Sequence, residues 1–269
     1  MMNRDLRAFL RGKKLYLLDM DGTLYLGHRL FEDSLAFLEA IRASGANYLF
    51  LTNNSSRGTR AYVEKLRGLG VPAKEEDFYT STDAACAWLE ENYRGRLIYA
   101  LGTASFKEHL RHEGFPVTDR YDEAADCLLM GYDTELTYQK LIDATRLINR
   151  GVTYLATNPD WVCPTEYGYI PDCGSIAQAL EHATGRLPLF LGKPEPAIAQ
   201  LAMARMGAAT EQTVLVGDRI YTDIACGRAA GTGTILVFSG ESTKKTLADS
   251  DIKPDFALDG IGEILAALR

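Results

Sequence analysis

The sequence lacks the features that mark membrane, secreted and nucleic-acid-binding proteins. None of its apolar runs approaches the roughly 20 residues needed to cross a bilayer. Its N-terminal segment has no long apolar stretch of the secretory type. The formal net charge is -7, and no run of lysine or arginine offsets it locally, which disfavours nucleic acid and anionic membranes as partners. These absences predict a cytoplasmic protein.

Cysteine is also sparse. The five cysteines are odd in number, widely scattered and free of any C-x-x-C pair, which argues against a disulfide framework and against a zinc site. Apolar residues make up 46% of the chain and charged residues 24%, as in an ordinary globular enzyme. The length of 269 residues suffices for one large domain or two smaller ones.

Short apolar segments alternate with amphipathic segments along most of the chain, which is typical of parallel α/β proteins. Strands are predicted at 14–19, 46–52, 213–217, 233–238 and 255–258. Helices are predicted between them at 33–44, 57–70, 194–207 and 223–230. A second series fills the middle of the chain, with strands at 96–102, 126–133 and 152–157 and a helix at 136–150.

Two aspartates, one residue apart, follow the first of these strands in the segment KLYLLDMDGTLYLG (14–27). In an extended chain Asp19 and Asp21 point to the same side, while Met20 points away. Two carboxylates in one small volume repel each other, so one of them should have a raised pKa unless a cation lies beside them. The pair therefore predicts a metal site, an acid/base pair, or both.

Two further polar segments follow strands, at the edge where open α/β sheets bind their ligands. Thr52, Asn53 and Asn54 offer a hydroxyl and backbone N–H groups to phosphate oxygens. Lys193 offers a point cation for a phosphoryl group, and Pro194 suits the first turn of the helix that follows.

The fourth polar segment is GDRIYTD (217–223), in which Gly217 and Asp218 end a strand and Asp223 lies where the next helix begins. Taken alone, each of the four segments also fits an ordinary turn with capping side chains. Together, the patterns D-x-D-G-T, T-N-N, G-K-P and G-D-x-x-x-x-D resemble the four motifs of the haloacid dehalogenase (HAD) superfamily of phosphohydrolases. The resemblance covers the whole chain and implies a Rossmann-like core, a Mg²⁺ ion and hydrolysis of phosphomonoesters.

Other segments resemble one branch of that superfamily, the type IIA proteins, which are NagD-like or nitrophenylphosphatase-like and have a large α/β cap. These segments are YDTELTYQKL (132–141), ATNPDW (156–161), PDCGSIAQALEHATGR (171–186) and LVFSGEST (236–243). The middle of the chain also lacks the four motifs. The implied fold class is α/β, with a Rossmann-like parallel-sheet core at 1–80 and 187–269 and an inserted α/β cap at 81–186.

The resemblance assigns the two acids of the first motif to different steps. Asp19 would attack phosphorus and form an aspartyl-phosphate. Asp21 would protonate the leaving alkoxide and then deprotonate the attacking water. Mg²⁺ would be held by an Asp19 oxygen, the Asp21 backbone carbonyl and Asp218, within the octahedral oxygen geometry that the ion requires. His28, just after this motif, is either a substrate contact or, more commonly for such a residue, part of a surface loop.

The other motif residues would hold the phosphoryl group or support the site. The residues for the phosphoryl group are Thr52, Asn53, Asn54 and Lys193, of which the lysine would also orient Asp19. The supporting residues are Gly22, Thr23, Gly217 and Asp223. Asp223 has two alternative roles, as an outer-sphere holder of metal-bound waters or as a partner for Lys193.

The cap segment holds residues with two interpretations of equal weight. Asn158, Asp160 and Trp161 either form a structured turn after a cap strand or select the leaving group of the substrate. Tyr167 and Tyr169 are predicted to be packing residues. A homodimer formed through the cap is plausible on this resemblance.

The sequence thus predicts a Mg²⁺-dependent phosphatase for small phosphomonoesters such as sugar phosphates, nucleoside monophosphates and 4-nitrophenyl phosphate. Two alternatives stay open. One is a phosphotransferase or mutase that uses the same aspartyl-phosphate, and the other is a non-catalytic module that binds a phosphometabolite. The intact set of Asp19, Asp21, Lys193 and Asp218 argues against the second, because binding alone requires neither a nucleophile nor a general acid.

Overall fold

The computed structural model of the chain describes residues 5–165 and 168–269. Its strands in chain order are β1 (Leu15–Leu18), β2 (Tyr25–Leu26), β3 (Arg29–Leu30), β4 (Asn47–Thr52), β5 (Phe78–Thr80), β6 (Ile98–Leu101), β7 (Val117–Thr118), β8 (Cys127–Met130), β9 (Thr153–Ala156), β10 (Val162–Thr165), β11 (Gly168–Pro171), β12 (Leu189–Phe190), β13 (Thr213–Gly217), β14 (Gly233–Val237) and β15 (Phe256–Leu258). Its α-helices are α1 (Leu6–Leu10), α2 (Ser34–Ala43), α3 (Thr59–Gly68), α4 (Ser81–Asn92), α5 (Ala104–His112), α6 (Tyr138–Arg150), α7 (Cys173–Thr184), α8 (Pro196–Met206), α9 (Ala225–Ala230), α10 (Lys244–Asp249) and α11 (Ile261–Leu268).

The described residues divide into two compact units. The first contains the described chain up to Thr52, Val63–Tyr79 and Lys193–Arg269, and the second contains Asn53–Tyr62 and Thr80–Gly192. The second unit therefore ends later than the boundary at 186 expected from the sequence, and it includes a short segment after β4 that the sequence assigned to the core. The predicted roles of core and cap are taken up below as proposals.

A six-stranded sheet with the order β15-β14-β13-β1-β4-β5 lies at the centre of the first unit. Strand β1 pairs in parallel with β13 on one side and with β4 on the other. The chain order therefore reverses between β1 and β13, and open α/β sheets bind ligands beyond the carboxyl ends of the strands at such a point. The first and fourth polar segments of the sequence begin there, directly after β1 and β13.

The sequence of β1 explains its central place. All four of its residues are buried, and a strand buried on both faces requires helices on both sides of the sheet. Helices α2 and α11 pack together in this unit, as do α8 and α9. Tyr16 of β1 meets Phe37 of α2 edge to face, with ring centroids 6.4 Å apart, which is a favourable aromatic geometry.

The second unit has its own parallel five-stranded sheet, with the order β12-β9-β8-β6-β7. Each face of the sheet is covered by a buried apolar cluster, one with residues of α6 and α7 and the other with residues of α4 and α5. The side chain of Thr137 caps α6 by accepting a hydrogen bond from the Lys140 backbone N–H, and Gly151 ends the helix in the left-handed conformation with φ of 85°. The α/β fold class predicted from the sequence is confirmed.

Two local predictions are wrong, and a third is confirmed with a different start. Helix α8 begins at Pro196 rather than at Pro194, because Glu195 is its extended N-cap and Pro196 takes the first helical position. The helix predicted at 223–230 is confirmed as α9 from Ala225 to Ala230, and a π-helical turn, Ile220–Ile224, precedes it. Tyr169 is not a packing residue, since 66% of it is exposed on β11; Tyr167 lies outside the described residues.

The helices of the described residues are short. The longest is α6, with 13 residues, and none of those described combines the length and the hydropathy of a membrane-spanning segment.

Candidate active site

A buried lysine joins two carboxylates at the carboxyl end of β1. The Lys193 ammonium donates hydrogen bonds to Asp19 Oδ1 at 2.7 Å, to Asp223 Oδ1 at 2.6 Å and to the Leu51 carbonyl at 3.0 Å. Only 3% of the Lys193 side chain is exposed. The three donors of the ammonium are therefore all used, and the lysine is fixed in one place.

The pKa values of Lys193 and Asp19 depend on the charges of their neighbours. Burial by itself lowers the pKa of Lys193, but the adjacent Asp19 and Asp223 carboxylates more than reverse this and raise it above its usual value. Burial raises the pKa of Asp19 to about 7 and Asp223 adds to the rise, while Lys193 opposes it. The lysine therefore remains an ammonium, and the Asp19 carboxylate depends on nearby positive charge to stay ionised.

Asp218 brings a third carboxylate to the same place. Ligand oxygens of Asp19, Asp218 and Asp223 lie within 4.8 Å of one another. Asp218 Oδ2 accepts a hydrogen bond from the Glu241 backbone N–H at 2.6 Å. Asp218 Oδ1 is buried and has no hydrogen-bond partner among the described residues. Burial, with repulsion from Asp19 and Asp223, raises the pKa of Asp218 well above its usual value.

This donor set fits a magnesium ion. Mg²⁺ prefers oxygen ligands and uses few carboxylates, and a buried carboxylate oxygen without a partner is costly unless a cation or a donor meets it. Asp19 and Asp218 supply such oxygens at the end of adjacent strands. Asp223 lies in the same cluster but is bonded to Lys193.

Two glycines permit this close approach. Gly22 has φ of +83°, and a Cβ atom there would lie 2.5 Å from Asp218 Oδ2. A Cβ atom at Gly217 would lie 2.3 Å from Asp223 Cγ. Both positions therefore exclude larger residues. The supporting role predicted for Gly22 and Gly217 thus has a steric cause. Thr23 is fully buried, and its hydroxyl has no hydrogen-bond partner among the described residues.

The carboxylate of Asp21 does not belong to this three-carboxylate cluster. Burial raises its pKa, while the cations Lys65 and Arg219 act in the opposite direction. The Lys65 ammonium lies 4.0 Å from the ring centroid of Tyr25, the residue with which Asp21 forms a bridge. Arg219 also pairs with Glu241 at 2.9 Å. The sequence analysis gave no role to Lys65 or Arg219, although Arg219 lies inside the fourth motif.

The T-N-N motif divides between the two units. Thr52 is the last residue of β4 and is buried in the first unit, whereas Asn53 and Asn54 belong to the second. The Asn54 Oδ1 atom accepts hydrogen bonds from the backbone N–H and the hydroxyl of Ser56, at 3.0 and 2.7 Å. Its side chain therefore stabilises the local turn.

A buried network in the second unit contains three of the predicted residues. The side-chain amides of Asn53 and Asn158 each donate to Asp160 Oδ2 at 2.9 Å. Asn158 Nδ2 also lies 3.1 Å from Asp172 Oδ1. Asn158 and Asp160 are 0% and 3% exposed, so within this unit their side chains fix the turn after β9. The network joins residues up to 107 positions apart, and no local pattern in the sequence indicates it.

Two further candidates are exposed. Trp161 is 57% exposed, and its carbonyl accepts hydrogen bonds from the Asp172 backbone N–H and the Ser175 hydroxyl. His28 is exposed in the turn between β2 and β3. The backbone of Trp161 is thus anchored while its indole is free to meet another molecule.

Comparisons with known proteins identify the family of the chain. One family model, described as haloacid dehalogenase-like hydrolase, matches residues 16–116, and a second, described as HAD-hydrolase-like, matches residues 190–264. The 5′-nucleotidase YutF of Bacillus subtilis is 34% identical over 250 residues, which cover 93% of this chain and 96% of the relative. The chain belongs to the haloacid dehalogenase-like hydrolases.

Solved structures of other HAD-like hydrolases have the same fold. The 4-nitrophenylphosphatase of Thermotoga maritima matches with a TM-score of 0.92 and 38% identity, over 97% of this chain and 99% of that one. A glycerol phosphate phosphatase of Mycobacterium tuberculosis, determined in complex with magnesium, matches with a TM-score of 0.89 and 28% identity, over 97% of this chain and 78% of that one.

Proposed function

We propose that this HAD-like hydrolase is a Mg²⁺-dependent phosphatase that hydrolyses small phosphomonoesters through an aspartyl-phosphate. The observation that carries the proposal is the Asp19 carboxylate, held at 2.7 Å by a buried lysine and placed beside Asp218. The names of the relatives support the substrate class, since they refer to a 5′-nucleotidase, a 4-nitrophenylphosphatase and a glycerol phosphate phosphatase.

In the first chemical step, an oxygen of Asp19 forms a bond to phosphorus and the bond from phosphorus to the alcohol oxygen breaks. Asp21 gives its proton to that leaving oxygen, and its raised pKa suits it to carry one. In the second step, Asp21 takes a proton from the water that attacks the aspartyl-phosphate, so the carboxylate of Asp19 is restored and inorganic phosphate leaves.

The other residues neutralise and orient the reactants. Asp19, the backbone carbonyl of Asp21 and Asp218 would hold Mg²⁺, which when bound neutralises part of the phosphate charge. Lys193 directs Asp19 and adds a positive charge for the transferring phosphoryl group. The 2.6 Å bond from Lys193 to Asp223 supports the role of Asp223 as the partner of that lysine.

Phosphate oxygens are assigned to the Thr52 hydroxyl and to backbone N–H groups of Asn53 and Asn54. Backbone donors suit Asn53 and Asn54, because their side chains already bind Asp160 and Ser56. In this proposal the first unit is the catalytic core and the second unit is the cap that selects the alcohol. Of the cap candidates, the exposed indole of Trp161 is then better suited to contact a substrate than the buried Asn158 and Asp160. His28 stays a candidate at an exposed turn.

A homodimer and a cytoplasmic location are the remaining proposals. The second unit exposes Tyr138 and Ile142, one turn apart on α6, together with Leu136 just before that helix. Exposed apolar side chains of this kind are suited to association between copies. Sedimentation at several protein concentrations, and fractionation of cells that express the protein, test the two points.

The experiment that tests the proposed function measures release of inorganic phosphate from a panel of nucleoside monophosphates, sugar phosphates, glycerol phosphate and 4-nitrophenyl phosphate. Wild type, Asp19→Asn and Asp259→Asn are compared with Mg²⁺ and with EDTA. Asp259 is a suitable control because its side chain is 79% exposed and pairs only with the exposed Lys244 on the surface.

We expect Mg²⁺-dependent release by wild type and by Asp259→Asn, and a loss of at least about 10³-fold in kcat for Asp19→Asn, because the covalent step is removed. Transfer of phosphate to a second alcohol, instead of to water, would indicate the phosphotransferase. Binding of the esters without any turnover would overturn the catalytic proposal.

A further inference from the structure

The second compact unit contains a cavity that none of the roles above uses. Its volume is about 460 Å³. Charged residues of both signs line it, among them Lys107, Asp119, Arg120, Lys140 and Asp143. None of these belongs to the HAD motifs or to the hydrogen-bond network of Asp160.

Lys107 is a buried cation with too few acceptors. Its side chain is only 10% exposed, and its sole acceptor among the described residues is Asp119 Oδ2, at 3.5 Å. That distance is at the outer limit of a hydrogen bond. Because an ammonium has three donors, two of them have no acceptor within the part of the chain that the structure describes.

Asp143 is a buried anion without a counter-charge. It is 6% exposed, and among the described residues its oxygens accept hydrogen bonds only from neutral groups, the Gln139 side-chain amide at 2.9 Å and the Tyr121 backbone N–H at 3.3 Å. The described residues place no cation in an ion pair with it. The nearby Tyr99 hydroxyl is also buried and has no hydrogen-bond partner within the described ranges; burial raises its pKa, and the charge of Asp143 adds to the rise.

Lys140, in contrast, is fully satisfied by the protein. Its ammonium donates to Asp133 Oδ2 at 2.7 Å, to the Glu135 carbonyl at 3.0 Å and to the Gly102 carbonyl at 3.1 Å. It therefore has no donor left for a ligand. Arg120 is exposed, and its guanidinium has no ion-pair partner among the described residues. The unmet groups at the cavity are thus two cations, Lys107 and Arg120, and one anion, Asp143.

We propose that this cavity binds a small zwitterion of the α-amino acid type, with its carboxylate at Lys107 and Arg120 and its ammonium at Asp143. A simple anion would leave Asp143 without a counter-charge, and a simple amine would leave two donors of Lys107 without acceptors. A molecule that carries both charges neutralises both buried groups, and burying a charge is costly unless it is paired and hydrogen-bonded. The cavity volume falls within the range of small-molecule sites.

The test is binding to the full chain, which needs no catalytic activity and so is independent of the proposed phosphatase. The common L-amino acids are titrated one at a time by calorimetry, with acetate and methylamine as probes that carry only one of the two charges. Asp143→Asn and Arg120→Gln are the test variants. Arg94→Gln is the matched control, because Arg94 is an exposed arginine of the same unit that lies just beyond α4 and pairs with Glu90 of that helix.

We expect at least one amino acid to bind wild type and Arg94→Gln equally, and acetate and methylamine to bind far more weakly. Asp143→Asn should weaken the binding of that amino acid by about 30-fold or more, since it removes one partner of a buried charge pair. Arg120→Gln should weaken the same binding by about threefold to tenfold. The position is exposed, so the substitution should not impair folding.

Three results would overturn the proposal. The first is that no amino acid binds wild type. The second is that Arg120→Gln and Arg94→Gln bind an amino acid with the same affinity as wild type, which locates the binding elsewhere. The third is that acetate or methylamine alone binds as tightly as the best amino acid, because the site would then recognise a single charge.

Discussion

The two compact units each bury carboxylates just after the end of parallel strands, but they neutralise them differently. In the first unit, Asp19 and Asp223 share the ammonium of Lys193. In the second unit, Asp160 accepts hydrogen bonds from the neutral amides of Asn53 and Asn158. The first arrangement leaves Asp218 Oδ1 without a partner among the described residues, whereas the second holds its acid within a network of side chains.

This difference indicates how a candidate catalytic site can be distinguished from a structural turn. An acidic residue after a strand occurs in both units, so its presence alone does not distinguish the two kinds of site. The two units differ in the hydrogen-bond partner of the acid. In the first unit the ammonium of Lys193, together with the unpartnered oxygen of Asp218, suits an anionic substrate. In the second unit the network of side-chain amides stabilises the local backbone. Four changes test this comparison.

The largest effect is expected from Lys193→Met, which removes the cation of the first unit. Two buried carboxylates then lose their counter-charge, so we expect the free energy of unfolding to fall by about 3–5 kcal/mol and phosphatase kcat to fall by about 10³-fold. Denaturant titration and phosphate release measure the two quantities. Lys74→Met, on the surface, is the control; an active, fully stable Lys193→Met protein would refute the assignment.

Asp160→Ala removes the acid of the second unit. The amides of Asn53 and Asn158 then lose a shared acceptor, and we expect the free energy of unfolding to fall by about 2–4 kcal/mol. Urea titration checks this, with the exposed Asp126→Ala as the control. A change in activity toward every ester alike, without any loss of stability, would contradict the structural role.

Mg²⁺ should stabilise the protein through the open oxygen of Asp218. At 100 times its Kd the ion adds about 2.7 kcal/mol, so we expect the Tm of wild type to rise by about 5 °C or more. Asp218→Asn should lose this rise, and without metal it should be at least as stable as wild type, because it relieves repulsion with Asp19 and Asp223. Scanning calorimetry with Mg²⁺ and with EDTA measures both. The same rise in the Asn variant would place the ion elsewhere.

The smallest effect concerns a histidine of the second unit. His109 Nε2 lies 3.5 Å from Asp83 Oδ1, and this carboxylate raises the pKa of His109 above 6.5. A raised folded pKa stabilises the protein fully below the unfolded value, and the stabilisation is lost as the pH rises through the folded pKa. His109→Gln should therefore cost about 0.5–1 kcal/mol near pH 5.5 and almost nothing near pH 8.5. Urea titrations of wild type and His109→Gln at the two pH values measure this difference. An equal loss of unfolding free energy at both pH values would contradict the interaction between His109 and Asp83.

Much of the first unit follows from the sequence because its chemistry sits in short motifs after apolar strands. The resemblance of those motifs to the HAD superfamily grouped Asp19 with Asp218, and the parallel pairing of β1 with β13 explains why the two lie close together. Lys193 follows from the same motif pattern.

The second unit could be predicted less well, for a physical reason. The partner of Asn53 is Asp160, 107 positions away, and a hydrogen bond over that separation leaves no periodic pattern. The same limit explains why the sequence left Asn158 and Asp160 undecided between a turn and a substrate contact. It also explains why Lys65 was missed, since its link to Asp21 depends on the packing of α3 rather than on a motif.

The pairing of β1 with β13 also affects how the protein is made. Asp19 and Lys193 lie 174 residues apart in the chain, with the whole of the five-stranded sheet between them. On a ribosome, β1 therefore has one edge unpaired while that intervening sheet is synthesised, and Asp19 meets Lys193 only after the lysine has been made. Until then the Lys193–Asp19 pair is absent, and the unpaired edge of β1 is a segment that a chaperone has reason to cover.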